Sequence, residues 1–197
     1  MFGILYQIGL ALVVVLLVLV GMWLFVPVLS GLPWRPTQLA RARRALALAG
    51  LRRGETLYDL GAGDGRVLLL AAREFGARAV GVEISPLHCL AARLSARWRG
   101  LSPQVAVRCA DFNRVDLSGA DVVYLYMTAG PAERLRPHLE RQLRPGARVV
   151  AVSFAFAGWK PAAYDPESLV FVYTMPPVPG GLEAFLADRW PDGAEAR

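Results

Sequence analysis

Asp59 stands just ahead of three alternating glycines, Gly61, Gly63 and Gly65, in the stretch LYDLGAGDGR at 57–66. A strand ending in Asp59 delivers a turn whose backbone approaches a ligand closely, since glycine tolerates positive φ and carries no Cβ. A helix beginning near Arg66 then points the positive end of its dipole at an anion resting on the turn. Glu83 ends a second short apolar run, RAVGVE at 78–83, where a carboxylate can accept hydrogen bonds from both hydroxyls of a ribose. Taken singly, Asp59 is an ordinary turn residue and Glu83 a solvated strand end. Together they describe a nucleotide site. The dinucleotide pattern G-x-G-x-x-G is not met, because Arg66 occupies the third glycine position. NAD nevertheless stays an alternative, because an acid at position 83 serves any ribose.

The elements that must position these residues follow from periodicity. Strands are expected over 55–60, 78–83, 104–109, 120–126 and 147–154, with helices over 65–75 and 86–98 between the first three. Ser85 suits the N-cap of the second helix and Pro86 its first position. A helix over 131–143 contains Pro137, which is expected to kink or split it. Another helix over 38–50 stops at Gly50. Continuous apolar strands alternating with helices indicate an α/β fold with a parallel sheet covered on both faces. The runs 168–175 and 182–188 are expected to add an antiparallel pair at its edge, joined by the turn PPVPGG at 176–181.

The start of the chain is different in kind. Residues 1–34 carry no charged side chain, and 8–26 are almost continuously apolar, long enough to cross a bilayer as a helix. Trp23, Phe25 and Trp34 suit the interface, and Pro27 is expected to end or kink the helix. A cleaved signal would need a basic start and a small-residue cleavage site; neither is found. The expected organisation is a transmembrane anchor over 1–30, a basic joint and helix over 31–54, a ligand-binding domain over 55–190 and a disordered tail over 191–197. Arg35, Arg41, Arg43, Arg44, Arg52 and Arg53 all follow the span, so the positive-inside rule places the domain on the cytoplasmic side of the cell membrane. The net charge of +6 lies largely in those arginines. Beside a span it points to anionic lipid headgroups rather than nucleic acid. Cys89 and Cys109 lack metal or disulfide spacing and read as buried, reduced thiols. His88 and His138 read as surface or helix-end residues, and no metal is expected.

The turn at 59–65, the acid at 83 and Cys109-Ala110-Asp111-Phe112 after the third strand resemble, in register, the cofactor site of class I (seven-β-strand) methyltransferases. That resemblance implies a Rossmann-like fold binding S-adenosyl-L-methionine (SAM). It further implies that Asp59 orients the amino group, that Gly61, Gly63 and Asp64 lie along the methionine moiety, that Glu83 binds the ribose, and that Asp111 and Phe112 flank the adenine. After strand four, Tyr124-Leu125-Tyr126-Met127-Thr128 replaces the Asn/Asp-Pro-Pro-Tyr box of adenine- and glutamine-directed enzymes. Two further stretches, Trp34-Arg35-Pro36-Thr37 and Ser153 through Pro161 (SFAFAGWKP), are similar to motifs of membrane-anchored protein-lysine methyltransferases. Members of that group modify the adenine nucleotide translocase and the c-type rotor protein of ATP synthase. By this resemblance Thr37 contacts the cofactor carboxylate, and Tyr124, Tyr126 and Trp159 line the acceptor channel. The implied function is lysine methylation of a membrane or membrane-proximal protein. Methylation of a lipid or other hydrophobic small molecule is the alternative, and a non-catalytic SAM-binding scaffold the second.

Overall fold

The apolar strands assemble into one seven-stranded mixed sheet, beside a small two-stranded one formed by the segments after residue 158. The computed structural model describes residues 2–29 and 37–189. Its elements are α1 (Phe2–Leu29), α2 (Leu39–Leu48), β1 (Thr56–Leu60), α3 (Arg66–Phe75), β2 (Arg78–Glu83), α4 (Pro86–Trp98), β3 (Val105–Cys109), β4 (Val122–Leu125), α5 (Ala129–Gln142), β5 (Arg148–Val152), β6 (Trp159–Lys160), β7 (Ala163–Asp165), β8 (Val170–Thr174), β9 (Val178–Pro179) and α6 (Gly181–Arg189). The seven-stranded sheet runs β3-β2-β1-β4-β5-β8-β7. Its first five strands are parallel, and β8 and β7 add antiparallel.

Strand alternation sorts the core into two faces. Leu57 and Tyr124 pack with Leu46 of α2 and Leu68 of α3 on one side; Tyr58 and Val123 pack with Leu135 and Leu139 of α5 on the other. Asp59, two residues on from Leu57, shares the first face. The order reverses between β1 and β4, where the chain, having laid β2 and β3 on one side of β1, crosses to the other. Such a switch point opens a crevice outside the carboxyl ends of the strands, the usual ligand site of open α/β sheets. Asp59 pairs with Gly81 on β2 and with Tyr124 on β4, so it sits at that crevice.

The C-terminal part departs from expectation. Residues 182–188 form helix α6 rather than an edge strand. Leu, Glu and Ala favour helix, and the run lacks the alternation a half-buried strand needs. The antiparallel edge is instead β8 with β7, and 176–181 holds β9, which pairs with β6. Pro137 neither splits nor ends α5. Arg136 pairs with Glu133 at 3.7 Å and Glu140 at 3.1 Å, spanning the turn where the proline removes a backbone bond.

Expectations for the N-terminal part are also revised. α1 continues through Pro27 to Leu29. Rather than forming a separate joint, α2 buries Ala42, Ala45 and Leu46 in the domain core. Three of the expected headgroup arginines serve it. Arg41 Nε donates to the Ser168 carbonyl at 2.6 Å, Arg43 pairs with Glu74 at 2.6 Å, and Arg44 with Glu167 at 2.8 Å. Expectations on residues 30–36, on the tail from 191, and on the side chains of Trp23 and Phe25 lie outside the described residues.

Candidate active site

The turn after β1 is built by its glycines and fastened to β2. Gly61, Gly63 and Gly65 have φ of 90°, 54° and 78°, a region that side-chain-bearing residues rarely enter. The Gly61 and Ala62 amides both donate to the Val82 carbonyl, at 2.8 and 3.1 Å. Gly65, the N-cap of α3, lies so close to α4 that a Cβ there would sit 2.9 Å from Ala92 Cβ; one on Gly81 would sit 2.5 Å from Leu68 Cδ1. Around Gly61 the same test meets open space. The turn is thus tight against protein at Gly65 and open at Gly61.

Three carboxylates converge on it, and of the three only Asp64 forms an ion pair among the described residues. Asp64 takes a fork from Arg66, at 3.0 Å from Nε and 2.5 Å from Nη2. Burial raises its pKa, but the bonds and charge of Arg66 outweigh that and hold it below the ordinary value. Asp64 is therefore committed to Arg66, which also reaches the Thr37 carbonyl at 3.3 Å and so ties the segment before α2 to the turn. Glu83 is buried; its two oxygens accept from the amides of Gly63 and Ser85, each at 2.9 Å, and a carboxylate offers further lone pairs beyond those two. Ser85 occupies the N-cap position without a side-chain capping bond; its amide, not its hydroxyl, is what the site uses. Asp59 is 4% exposed. Desolvation, then the charges of Glu83 and Asp64, push its pKa up to about 8. An acid in that state lacks a positive partner.

The far wall is aromatic. Tyr124 is buried with its hydroxyl outside bonding geometry of any partner. Burial and the neighbouring Asp59 push its pKa far up, partly opposed by the Thr37 side chain and Arg41. Asp59, Thr37, Tyr124 and Tyr126 accordingly form one cluster, with the Arg41 guanidinium 5.9 Å from the Tyr126 ring centre. Trp159 does not join it. It is buried on the opposite face of the sheet, 4.4 Å from Phe156 and 5.5 Å from Tyr173, and its Nε1 donates to Glu140 at 3.2 Å. The aromatic rings of the SFAFAGWKP stretch are core: Phe154 and Phe156 are buried with Trp159, and the Phe156 amide donates to the Tyr173 hydroxyl at 3.0 Å. Asp111 caps a one-turn helix, accepting from the Asn113 amide at 2.9 Å, and Phe112 is half-buried behind it.

Sequence reading missed Arg66, Arg41, Ser85 and Gly81. A glycine inside a strand run does signal close backbone approach, so Gly81 was legible. His88 proves buried, not a surface residue. Cys89 is buried and its thiol pushed up to about 12, by burial first; Cys109 is exposed. Among the described residues no His/Cys/Asp/Glu group could hold a metal ion.

Comparison with known proteins settles the lineage. The family model described as the ANTKMT methyltransferase domain matches residues 59–163, more than half of the chain. This chain belongs to that methyltransferase family. A protein-lysine N-methyltransferase of Saccharolobus islandicus is 37% identical over 130 residues, covering 66% of this chain and 81% of the relative. The adenine nucleotide translocase lysine N-methyltransferase of Mus musculus is 33% identical over 143 residues, 72% of this chain but only 62% of that enzyme. A Salinibacter ruber RNA methyltransferase, solved with S-adenosyl-L-homocysteine, is 40% identical, with a TM-score of 0.70 over 72% of this chain and 94% of its own. The methyltransferase is thus SAM-dependent and has the class I fold. Its own site fits the cofactor: an acid without a cation, a glycine cradle open at Gly61, and a ribose-type acid at Glu83.

Proposed function

We propose that this methyltransferase acts on a lysine of a membrane or membrane-proximal protein, from the cytoplasmic face of the cell membrane. α1 is the observation that carries the membrane part. Residues 3–21 form a helical stretch of 19 residues with no charge and no buried share. At about 1.5 Å per residue that nearly matches the roughly 30 Å hydrocarbon core. Lysine as acceptor is supported by the activity of the mouse relative, on the adenine nucleotide translocase, and by that of the Saccharolobus relative, on protein lysine.

Bound SAM supplies an electrophilic methyl group on a sulfonium. With it bound, Asp59 would receive its amino cation, Gly61 and Gly63 would leave room for the methionine portion, and Thr37 would hold its carboxylate. Glu83, held by the Gly63 and Ser85 amides, takes the ribose, with Asp111 and Phe112 at the adenine end. Tyr124 and Tyr126 face the acceptor. A lysine entering beside these rings and Arg41 is stripped of water and meets a fixed positive charge. Both effects lower its pKa and favour the neutral nucleophile. Positioning then supplies most of the acceleration, up to about 7–11 kcal/mol in well-aligned reactions.

Membranes carrying the full chain, incubated with SAM labelled in its methyl group, test the reading. The expected label stays in protein after delipidation and appears on lysine. Label extracted into solvent would favour a lipid acceptor. Ribonuclease-sensitive label would favour RNA, the substrate class of the Salinibacter relative and one compatible with a net charge of +6. SAM binding without any transfer would leave a scaffold.

A further inference from the structure

Helix α4 covers the sheet with His88 and three small residues and leaves its largest apolar side chains outside. Cys89, Ala92 and Ala96 face the core. Leu90, Leu94 and Trp98 are 52%, 40% and 81% exposed. These three recur every four residues, so they form one ridge directly away from the sheet. Ile84, in the turn that leads into the helix, is also exposed. A helix whose only task is to cover a sheet turns its large apolar residues inward. Single exposed leucines are ordinary, but a continuous ridge ending in a tryptophan marks a contact surface.

The border of the ridge says what it contacts. Arg93 and Arg97 lie one turn apart along its flank and Arg99 follows at its end, while α4 contains no acid. Arg93 is held in place by the Val107 carbonyl at 2.8 Å, and Arg99 by the Ser95 hydroxyl at 2.6 Å. Arg43 and Arg44 of α2, by contrast, are neutralised by Glu74 and Glu167. Leucine and tryptophan bordered by cations complement the acyl–headgroup boundary of an anionic bilayer, where tryptophan is favoured and each arginine attracts acidic lipid. Continuity points the same way, because the membrane-length helix α1 contacts α4 and the ridge stays exposed beside it.

We propose that α4 is an interfacial helix, lying along an anionic membrane with Leu90, Leu94 and Trp98 in the acyl boundary and Arg93, Arg97 and Arg99 among the headgroups. This rests on α1 being a span. α4 runs antiparallel to the strands it covers, so the strands lie along the bilayer and the crevice at Asp59 opens sideways, close to the surface. A lysine just outside the hydrocarbon core can enter there without leaving the membrane plane.

The test uses the full chain with Cys109→Ser, spin-labelled at Trp98→Cys or, as a reference, at Ala187→Cys, an exposed position on α6. It is reconstituted in vesicles of phosphatidylcholine with phosphatidylglycerol, or of phosphatidylcholine alone. The expected result is collision with a water-soluble nickel chelate several-fold lower at 98 than at 187, and loss of that shielding without phosphatidylglycerol. Equal accessibility at 98 and 187 in chain that resists alkaline carbonate extraction would overturn the role of α4 while leaving α1 a span. Shielding at 98 in chain that carbonate extracts would refute the span on which the proposal rests and overturn both. Spin–spin broadening at 98 in both lipids would assign the ridge to a second copy and overturn the proposal.

Discussion

Cofactor affinity is expected to rise with pH, because burial favours the protonated form of Asp59, the carboxyl proposed to receive the cofactor's amino cation. Burial, followed by the charges of Glu83 and Asp64, sets the Asp59 pKa at about 8. A ligand that needs the carboxylate must displace that proton. The apparent Kd is then multiplied by one plus ten to the power of pKa minus pH, roughly a hundredfold at pH 6, tenfold at pH 7 and twofold at pH 8. The stability of the ligand-free protein has the opposite sign. Native Asp59 keeps a proton that the unfolded chain releases near pH 4. The stabilising contribution is therefore full below about pH 4 and is lost as pH climbs through 8, the reverse of a salt-bridged acid. Calorimetry with S-adenosyl-L-homocysteine, which retains the amino group, measures the first effect across about pH 6 to pH 8, and thermal melts with and without ligand measure the second. Asp59→Asn is expected to flatten both profiles, raise the melting temperature of the empty protein at pH 8 and weaken binding. A wild-type Kd that is level from pH 6 to pH 8, or an unchanged slope in Asp59→Asn, would refute the assignment.

Glu83→Ala strands the Gly63 and Ser85 amides; with about 1–3 kcal/mol lost for each unpaired donor, calorimetric SAM affinity is expected to fall at least tenfold, and unchanged affinity would remove Glu83 from the ribose site. Gly65→Ala and Gly61→Ala both place a side chain at positive φ, a strain of about 1–2 kcal/mol, but only the first also collides with Ala92. Denaturant unfolding is expected to show Gly65→Ala as the less stable protein, while Gly61→Ala loses cofactor binding beyond its loss of stability. Tyr124→Phe deletes a buried hydroxyl that meets only the Thr37 side chain, and that outside bonding geometry, among the described residues, so stability is expected to hold within about 1 kcal/mol while lysine methylation slows. An unchanged methylation rate would remove Tyr124 from the acceptor wall.

The parallel half of the sheet was legible to within two residues at most ends, because its strands are continuous apolar runs and its turns carry glycine. The positions of Asp59, Gly61, Gly63 and Glu83 at the crevice were legible for the same reason, since periodicity locates the strand ends that carry them. Trp159 was misplaced because a Gly-Trp-Lys-Pro stretch reads the same whether its aromatic ring faces a channel or a core. Only the packing of Phe156 and Tyr173 decides that. Asp64 was read as a ligand contact because Arg66 stood in the sequence as a missing glycine rather than as a partner. The error at 182–188 came from counting apolar residues without asking for their period.

Charge arithmetic at the switch point also separates the two cofactors that the sequence alone left open. A dinucleotide would bring its anionic pyrophosphate to the glycine turn, beside Asp59, Glu83 and Asp64, and Arg66, the guanidinium at the turn itself, is already engaged by Asp64. Like charges within a few ångströms in a desolvated crevice repel strongly, and the empty site registers this by protonating Asp59. A donor with an amino cation and a sulfonium reverses the sign of the interaction, allowing Asp59 to ionise where water cannot help it. The acidic group at the turn thus disfavours an anionic ligand there, and a donor that carries an amino cation and a sulfonium is the one whose charge suits it.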